Sequence, residues 1–299
     1  MLIQDKFKIG VIALLVSALL TSISQVFYAN RVQTIHPFLF TGISFFITLL
    51  YFQFIAMRQK VDRKWGISWQ PLVKLNIASA VTFMGYYFAL KYIEPAIVSS
   101  LEMGVGPLFI LLIYIFQKQK IIKEQWGIAI VTLFSCVLLI WAVVVGNSGV
   151  DFEFSTEVFV GILASILCGA GAVLCTIYSK QLSENGWTSS MILSKRFFGI
   201  VILSFVFTYD LIVPYFKEHI VWILIVTFFG VLLPMYFLQK GIQLTNTFLV
   251  MMSLCFIPVF TFFLQLFDAR ITFSYPTFFG VVLLFVVGIY SIVVERKQV

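Results

Sequence analysis

The sequence predicts an all-α membrane protein of ten transmembrane helices, arranged as two inverted five-helix repeats with the N and C termini cytoplasmic. Three observations carry that expectation: a composition too apolar for water, ten apolar runs of membrane-crossing length, and an internal repeat about 151 residues apart. Of the 299 residues, 61% are hydrophobic and only 11% charged, with a mean hydropathy of +1.04. Soluble domains carry about 25% charged residues, so this chain lacks the polar surface needed to cover a water-soluble core.

A helix crossing about 30 Å of hydrocarbon needs roughly 20 mostly apolar residues. Runs of that kind lie at 9–29, 37–57, 72–93, 95–117, 125–145, 157–180, 189–213, 218–240, 246–267 and 276–294. Their apolar pattern is continuous rather than alternating, which argues against an outer-membrane barrel. The connections are short, the longest near Arg58–Gln70 and Val145–Thr156, and leave no room for a soluble domain. The first run has no small-residue cleavage site and leads straight into a second, so it is expected to be a retained helix. With both termini inside, sixteen of the twenty Lys and Arg residues fall on the cytoplasmic side and only Arg31, Lys91, Lys217 and Arg270 on the other. That asymmetry follows the positive-inside rule. The net charge of +7 is thereby a topology signal. The basic residues are scattered over loops with no nucleic-acid motif among them, so nucleic acid is not an expected partner.

The repeat is visible in three places. LFILLIYIFQKQKIIKEQWG (108–127) resembles VFTFFLQLFDARITFSYPTFFG (259–280), each following a proline, Pro107 and Pro258. SFFITLL (44–50) matches RFFGIVIL (196–203), and VFYANR (26–31) matches TIYSKQ (176–181). The expected units are therefore 1–148 and 149–299, with five helices each. Five is odd, so the second copy enters the membrane upside down. Inverted repeats of this kind allow alternating access around a midplane site.

Candidate site residues follow from what is costly inside lipid. SSLEMGVGP (99–107) places Glu102 as the single charge of span four. A carboxylate facing lipid there costs about 2.5–3.5 kcal/mol on insertion scales, so it is expected to face a cavity or a partner. Gly104 and Gly106 let a helix or a substrate approach closely. Pro107 leaves the carbonyl near Met103 without its helical donor. Arg196, in span seven, is the expected cation of the same site, and Pro258 repeats the helix-breaking role of Pro107. Gln25, Tyr28, Tyr86, Tyr87, Tyr178, Tyr236 and Ser253 complete the expected substrate-binding set, lining a cavity with polar side chains from several spans. Lys195 and Lys91 are expected to reach the interface. CGAGA (168–172) is expected to be a tight helix contact. Trp65, Trp69, Trp126 and Trp222 are expected to anchor span ends. The cysteines Cys136, Cys168, Cys175 and Cys255 lie within spans and read as small packing residues. His36 and His219 have no ligand partner near in sequence, so no metal site is expected. No catalytic residue or cofactor motif is visible: no HExxH, no paired intramembrane aspartates, no Gly-rich phosphate loop. An enzyme is not expected.

ALKYIEPAIVSSLEMGVGPLFILLIYIF (89–116) with GIAIVTLFSCVLLI (127–140) resembles the EamA-type repeat of the ten-helix drug/metabolite transporter superfamily. The second half repeats it as GIQLTNTFLVMMSLCFIPVFTFFLQLFDARIT (241–272) and GVVLLFVVGIY (280–290). The family's arginine–aromatic pair matches Arg196-Phe197, while the first half departs from it with Ser44-Phe45. The acidic residue closing the fourth helix matches Asp268, where the first half has Gln117. The resemblance implies a multi-pass transporter in the bacterial cytoplasmic (inner) membrane. Export of an amino-acid-like or aromatic metabolite, or of a toxic compound, is the expected function; uptake or exchange of a larger charged metabolite, such as a nucleoside-like cofactor, is the alternative. Expected partners are a small-molecule substrate, protons as a candidate coupling ion, and the lipid bilayer. The oligomeric state is expected to be monomer or homodimer.

Overall fold

The computed structural model describes residues 2–31, 35–58, 69–149, 155–268 and 271–296, and of residues 2–4, 30, 31 and 212–219 the backbone only. Several residues behind the charge asymmetry (Lys60, Arg63, Lys64, Arg270 and Lys297), the acidic Asp151 and Glu153, the Trp65 anchor, and the side chains of Asn30, Arg31, Lys217 and His219 lie outside the described residues. The described residues are all-helical. The helices are α1 (Leu2–Arg31), α2 (Pro37–Arg58), α3 (Trp69–Tyr92), α4 (Pro95–Phe116), α5 (Lys123–Val144), α6 (Thr156–Glu184), α7 (Ser189–Arg196), α8 (Phe198–Thr208) and α9 (Ile212–Thr227). A π-turn (Phe228–Leu232) follows, then α10 (Leu233–Leu244), α11 (Thr247–Leu254), α12 (Phe256–Gln265) and α13 (Tyr275–Arg296).

Among the described residues, nine helical stretches are long and apolar enough to cross a membrane. Seven are α1, α2, α4, α5, α6, α13 and the run through the π-turn into α10. The other two are pairs of shorter helices, Ser189–Thr208 and Thr247–Gln265. The expected run at 72–93 is a helix, α3, of 24 residues, about 36 Å long at 1.5 Å per residue. It is not among the nine, because Lys74, Asn76, Ser79, Thr82 and Lys91 dilute its apolar content. Large apolar side chains cover the outside. Phe116 and Phe267 are 86% and 89% exposed, and α5 presents Trp126, Ile130, Phe134, Val137 and Trp141 outward at helical spacing. A surface of that kind is suited to lipid.

Helix partners come in matched pairs. α3 packs along α6, and α1 along α10. α4 touches α5 and α6, while α12 touches α13 and α1. α2 lies against α7 and α8, α5 against α13, and α4 against α12. Small residues permit the closest crossings. A Cβ on Gly169 would collide with the Glu102 carbonyl of α4, and one on Gly171 with the Thr82 hydroxyl of α3. The expectation that CGAGA marks a tight contact is borne out.

Three interruptions depart from the simple picture of continuous spans. Pro107 does not break α4, which runs through it from Pro95 to Phe116. Pro258 does coincide with a break, three residues before it, at Cys255 between α11 and α12. Pro234 cannot donate a backbone hydrogen bond, and ahead of it the helix widens into the π-turn, where the Leu233 amide donates to the Phe228 carbonyl. The third break, at Phe197 between α7 and α8, contains no proline. In a continuous helix the Gly199 amide would donate to the Lys195 carbonyl. Instead the Asn76 side chain of α3 sits between them: its Oδ1 accepts from the Gly199 amide at 3.0 Å and its Nδ2 donates to the Lys195 carbonyl at 2.8 Å. In Asn76→Ala both backbone groups lose these partners, which costs about 1–3 kcal/mol per unsatisfied buried group. A lower thermal midpoint than wild type is the expected outcome, and an unchanged midpoint would show that α7 and α8 close into one continuous helix.

Candidate functional site: a central cavity holding an unpaired acid and an unpaired base

The cavity forms because α4 is buried nearly all round and its neighbours bend where they meet it. Pro95–Phe116 carries small residues on several faces, and a Cβ on Gly104 would collide with Cys136 of α5. A Cβ on Gly106 would lie 3.3 Å from the Met251 sulfur of α11. Both glycines therefore admit neighbouring helices. The carbonyl of Met103, freed by Pro107, accepts a hydrogen bond from the Cys255 thiol at 3.6 Å. The break of one half thus supplies the donor that the proline of the other half removed.

Beside Met103 the helices surround a partly open cavity with about 70 Å³ available to the centres of water molecules. One water needs roughly 10–15 Å³ by that measure, so the open part holds several waters or a small group of comparable size. The wall includes Glu102 of α4, Tyr86 and Tyr87 of α3, and Arg196 of α7. Thus four of the nine expected substrate-binding residues meet at one cavity. α3, the least apolar long helix, also contributes Thr82 and Phe83. Ser17 and Thr21 of α1, Thr176 of α6 and Gly230 of the π-turn complete the polar and open parts of the wall.

Arg196 is almost completely buried. Its Nε donates to the Ser79 hydroxyl at 2.9 Å, and its Nη1 has no hydrogen-bond partner. The guanidinium carbon lies 5.7 Å from the Phe83 ring centre and 5.6 Å from that of Phe197. Ring faces attract a cation at such distances, and the C-terminal end of α7 adds a favourable helix dipole. Glu102 is buried and has the Cys168 thiol as its hydrogen-bond neighbour. Among the described residues no Lys or Arg lies within 4.0 Å of it, Arg196 included. An acid and a base thus line one cavity without neutralising each other, which is costly unless something else pairs with them.

The remaining expected residues sit elsewhere. Gln25 accepts from the Thr261 hydroxyl at 2.8 Å, and its Nε2 is buried without a partner. Tyr28 lies one layer behind the wall, its ring 5.0 Å from Tyr87 and 4.8 Å from Phe40, with an unpartnered hydroxyl. Ser253, also unpartnered, adjoins the wall residue Leu254. It precedes Pro258 by five residues, as Glu102 precedes Pro107. Tyr178 packs near Leu75 and the wall residue Cys175, with Lys74 above its ring, and does not itself line the cavity. Tyr236 is 37% exposed and stacks on Phe52, on the outer surface. Wall residues outside the expected set, such as Thr82, Ser17 and Thr176, are small and polar and carry no sequence signal that separates them from packing residues.

Besides Glu102, the buried acids among the described residues are Glu94, Asp268 and Glu295, and the first and last of these tie helix ends together. Glu94 lies immediately before α4. It accepts from the Gly149 amide at 2.8 Å and from the Gln265 side chain at the end of α12. The Gln265 carbonyl oxygen in turn accepts from the Ala96 amide. Burial pushes the Glu94 carboxyl above the ordinary carboxylate range, while the Gly149 and Gln265 donors pull it back. Glu295, at the end of α13, accepts from Gln125 of α5 at 2.9 Å and from Asn246, the cap of α11, at 2.7 Å. Asn246 lies 152 residues after Glu94. Each clasp joins elements of the first half to elements of the second.

Comparison with known proteins agrees with this architecture. A solved structure described only as the crystal structure of a protein superposes on the chain with a TM-score of 0.68, covering 99% of each chain at 17% identity. At that identity the likeness is one of fold. A search of curated proteins finds no match. Residues 8–141 match the model of the EamA-like transporter family. Through that segment, a little under half of the chain, the protein is similar to the EamA-like transporters of the drug/metabolite transporter superfamily, and its long apolar helices are those of a multi-pass membrane protein.

Proposed function

We propose that this protein is a transporter that exports a small zwitterionic metabolite, amino-acid-like or aromatic, across the bacterial cytoplasmic membrane by alternating access. The observation that carries the proposal is the pair of unmatched charges, Glu102 and Arg196, on one cavity wall with aromatic rings beside them. A substrate bearing both an ammonium and a carboxylate answers each charge with its opposite. The small open volume favours such a molecule over a nucleoside-like cofactor. Glu102 is also placed to take up a proton when the substrate leaves, which would couple export to a gradient.

The proposal includes α3 as a tenth span, the units 1–148 and 149–299 as inverted halves, and both termini in the cytoplasm. The matched packing supports it, since exchanging the halves turns the α3–α6 contact into α10–α1 and the α4–α6 contact into α12–α1. So does the placement of the two clasps. Glu94 ties the start of α4 to the end of α12, and Asn246 with Glu295 ties the start of α11 to α5 and α13. In an inverted pair these lie at opposite membrane faces, where opening one and closing the other would admit and release substrate.

Purified protein tested against amino acids, polyamines, nucleosides and quaternary amines should be thermally stabilised by an amino-acid-like ligand, by roughly 2.7 kcal/mol at a hundred times its dissociation constant. That stabilisation should vanish in Glu102→Gln; stabilisation by nucleosides alone would move the assignment to the alternative substrate class. In proteoliposomes, Glu102→Ala and Arg196→Ala should each abolish flux while the protein stays folded, and full activity in both would overturn the site. Glu94→Ala is expected to act differently. It deprives the Gly149 amide and the Gln265 amide of their acceptor, costing about 1–3 kcal/mol per group. Its signature is a lowered thermal midpoint with ligand specificity intact.

A further inference from the structure

A second concavity lies on the outer surface, between α3 and the α7–α8 pair. It has about 1150 Å³ of unfilled space, walled almost wholly by apolar side chains. It runs from Leu72 to Met84 on α3 and from Lys195 to Phe207 on α7 and α8. Twelve residues of helix span about 18 Å, close to one leaflet of a hydrocarbon core about 30 Å thick. Ala80 and Gly199 keep the groove deep, because neither carries a bulky side chain there. At one end stands Lys195, its ammonium 5.7 Å from the Phe198 ring centre. Among the described residues no acidic side chain lies within ion-pairing distance of it.

We propose that this groove binds one anionic phospholipid, its acyl chain along α3 and α8 and its phosphate on Lys195. The apolar wall answers the chain, the length answers a single leaflet, and the unpaired ammonium answers the headgroup charge. With Lys195 six residues into α7, about 9 Å from the helix start, its long stem reaches back toward the headgroups. The positive-inside orientation makes this the cytoplasmic leaflet, which is where anionic lipid attracts basic residues. The groove also adjoins the central cavity. Lys195 faces the lipid and the next residue, Arg196, faces the cavity, while Asn76 bridges the backbone break beside both. A bound lipid thereby holds the segment that positions Arg196.

Native mass spectrometry of the purified protein, delipidated and then given equal amounts of phosphatidylglycerol and phosphatidylcholine with the same acyl chains, tests this directly. Wild type should retain phosphatidylglycerol about fivefold more than phosphatidylcholine, the preference expected from one lysine at an anionic surface. Lys195→Gln should bring the two lipids level, Lys195→Arg should restore the preference, and Ile77→Trp, which fills the groove, should reduce retention of both. Equal retention of the two lipids by wild type would overturn the proposal. So would an undiminished preference in Lys195→Gln, or a protein dimer that Ile77→Trp dissolves without changing lipid retention. Should Lys195→Gln fail to fold, Lys195→Arg and Ile77→Trp decide the matter by the same measurements.

Discussion

Inside hydrocarbon there is no water to satisfy a peptide group, so every backbone donor and acceptor must find a protein partner. This chain departs from regular helix at several points and repairs the departures mainly with side chains of other helices. The Met103 carbonyl, freed by Pro107, takes the Cys255 thiol. The Gly199 amide and Lys195 carbonyl, separated at Phe197, take the two ends of the Asn76 amide. The turn before Pro234 repairs itself by widening to a π-turn. Irregular backbone is tolerated at membrane depth only where it is buried in protein or lines a cavity, and here the residues at or next to these irregular points, Met103, Arg196, Gly230 and Leu254, stand on the wall of the cavity.

Close approach is the second requirement. Helices in lipid gain little from hiding apolar surface from one another, since lipid tails are equally apolar, and small residues at the contacts bring backbones together. Gly169 lets α6 rest on the Glu102 carbonyl, and Gly104 and Gly106 let α5 and α11 rest on α4. The backbone of Glu102 is therefore pinned from more than one side. The position of its side chain at the cavity wall is thereby fixed by the backbone packing.

The polar groups sort by whether they are already satisfied. Glu94 and Glu295 are buried acids with hydrogen-bond donors on both oxygens, and they join the two halves of the chain at the ends of the bundle. Glu102 and the Nη1 of Arg196 are buried on the cavity wall without a counter-charge. A fully satisfied network rigidifies its surroundings, whereas an unsatisfied one is expensive until a ligand completes it. That contrast separates the acids whose partners are already in place from the two charges on which the proposed substrate site rests.

The membrane class and the helix positions were legible in the sequence alone, which also singled out Glu102 and Arg196, the two charges that the structure brings to one cavity wall. Apolar length and isolated charge are local properties, and the hydrocarbon penalises any violation of them wherever the chain goes. The repeat around Pro107 and Pro258 was equally visible, because a missing backbone donor is a property of the residue itself. Only the tertiary structure decided which side of each helix faces inward. Tyr86 and Tyr87 reach the cavity while Tyr236, equally polar, lies on the outer surface. It also decided the clasps: Glu94, Gln265 and Gly149 are far apart in the chain, and nothing near Glu94 in sequence announces its partners. The same holds for Asn76, whose role exists only because α3 passes the break at Phe197. Pairings of this kind depend on how helices cross, and crossing is settled by packing between distant segments.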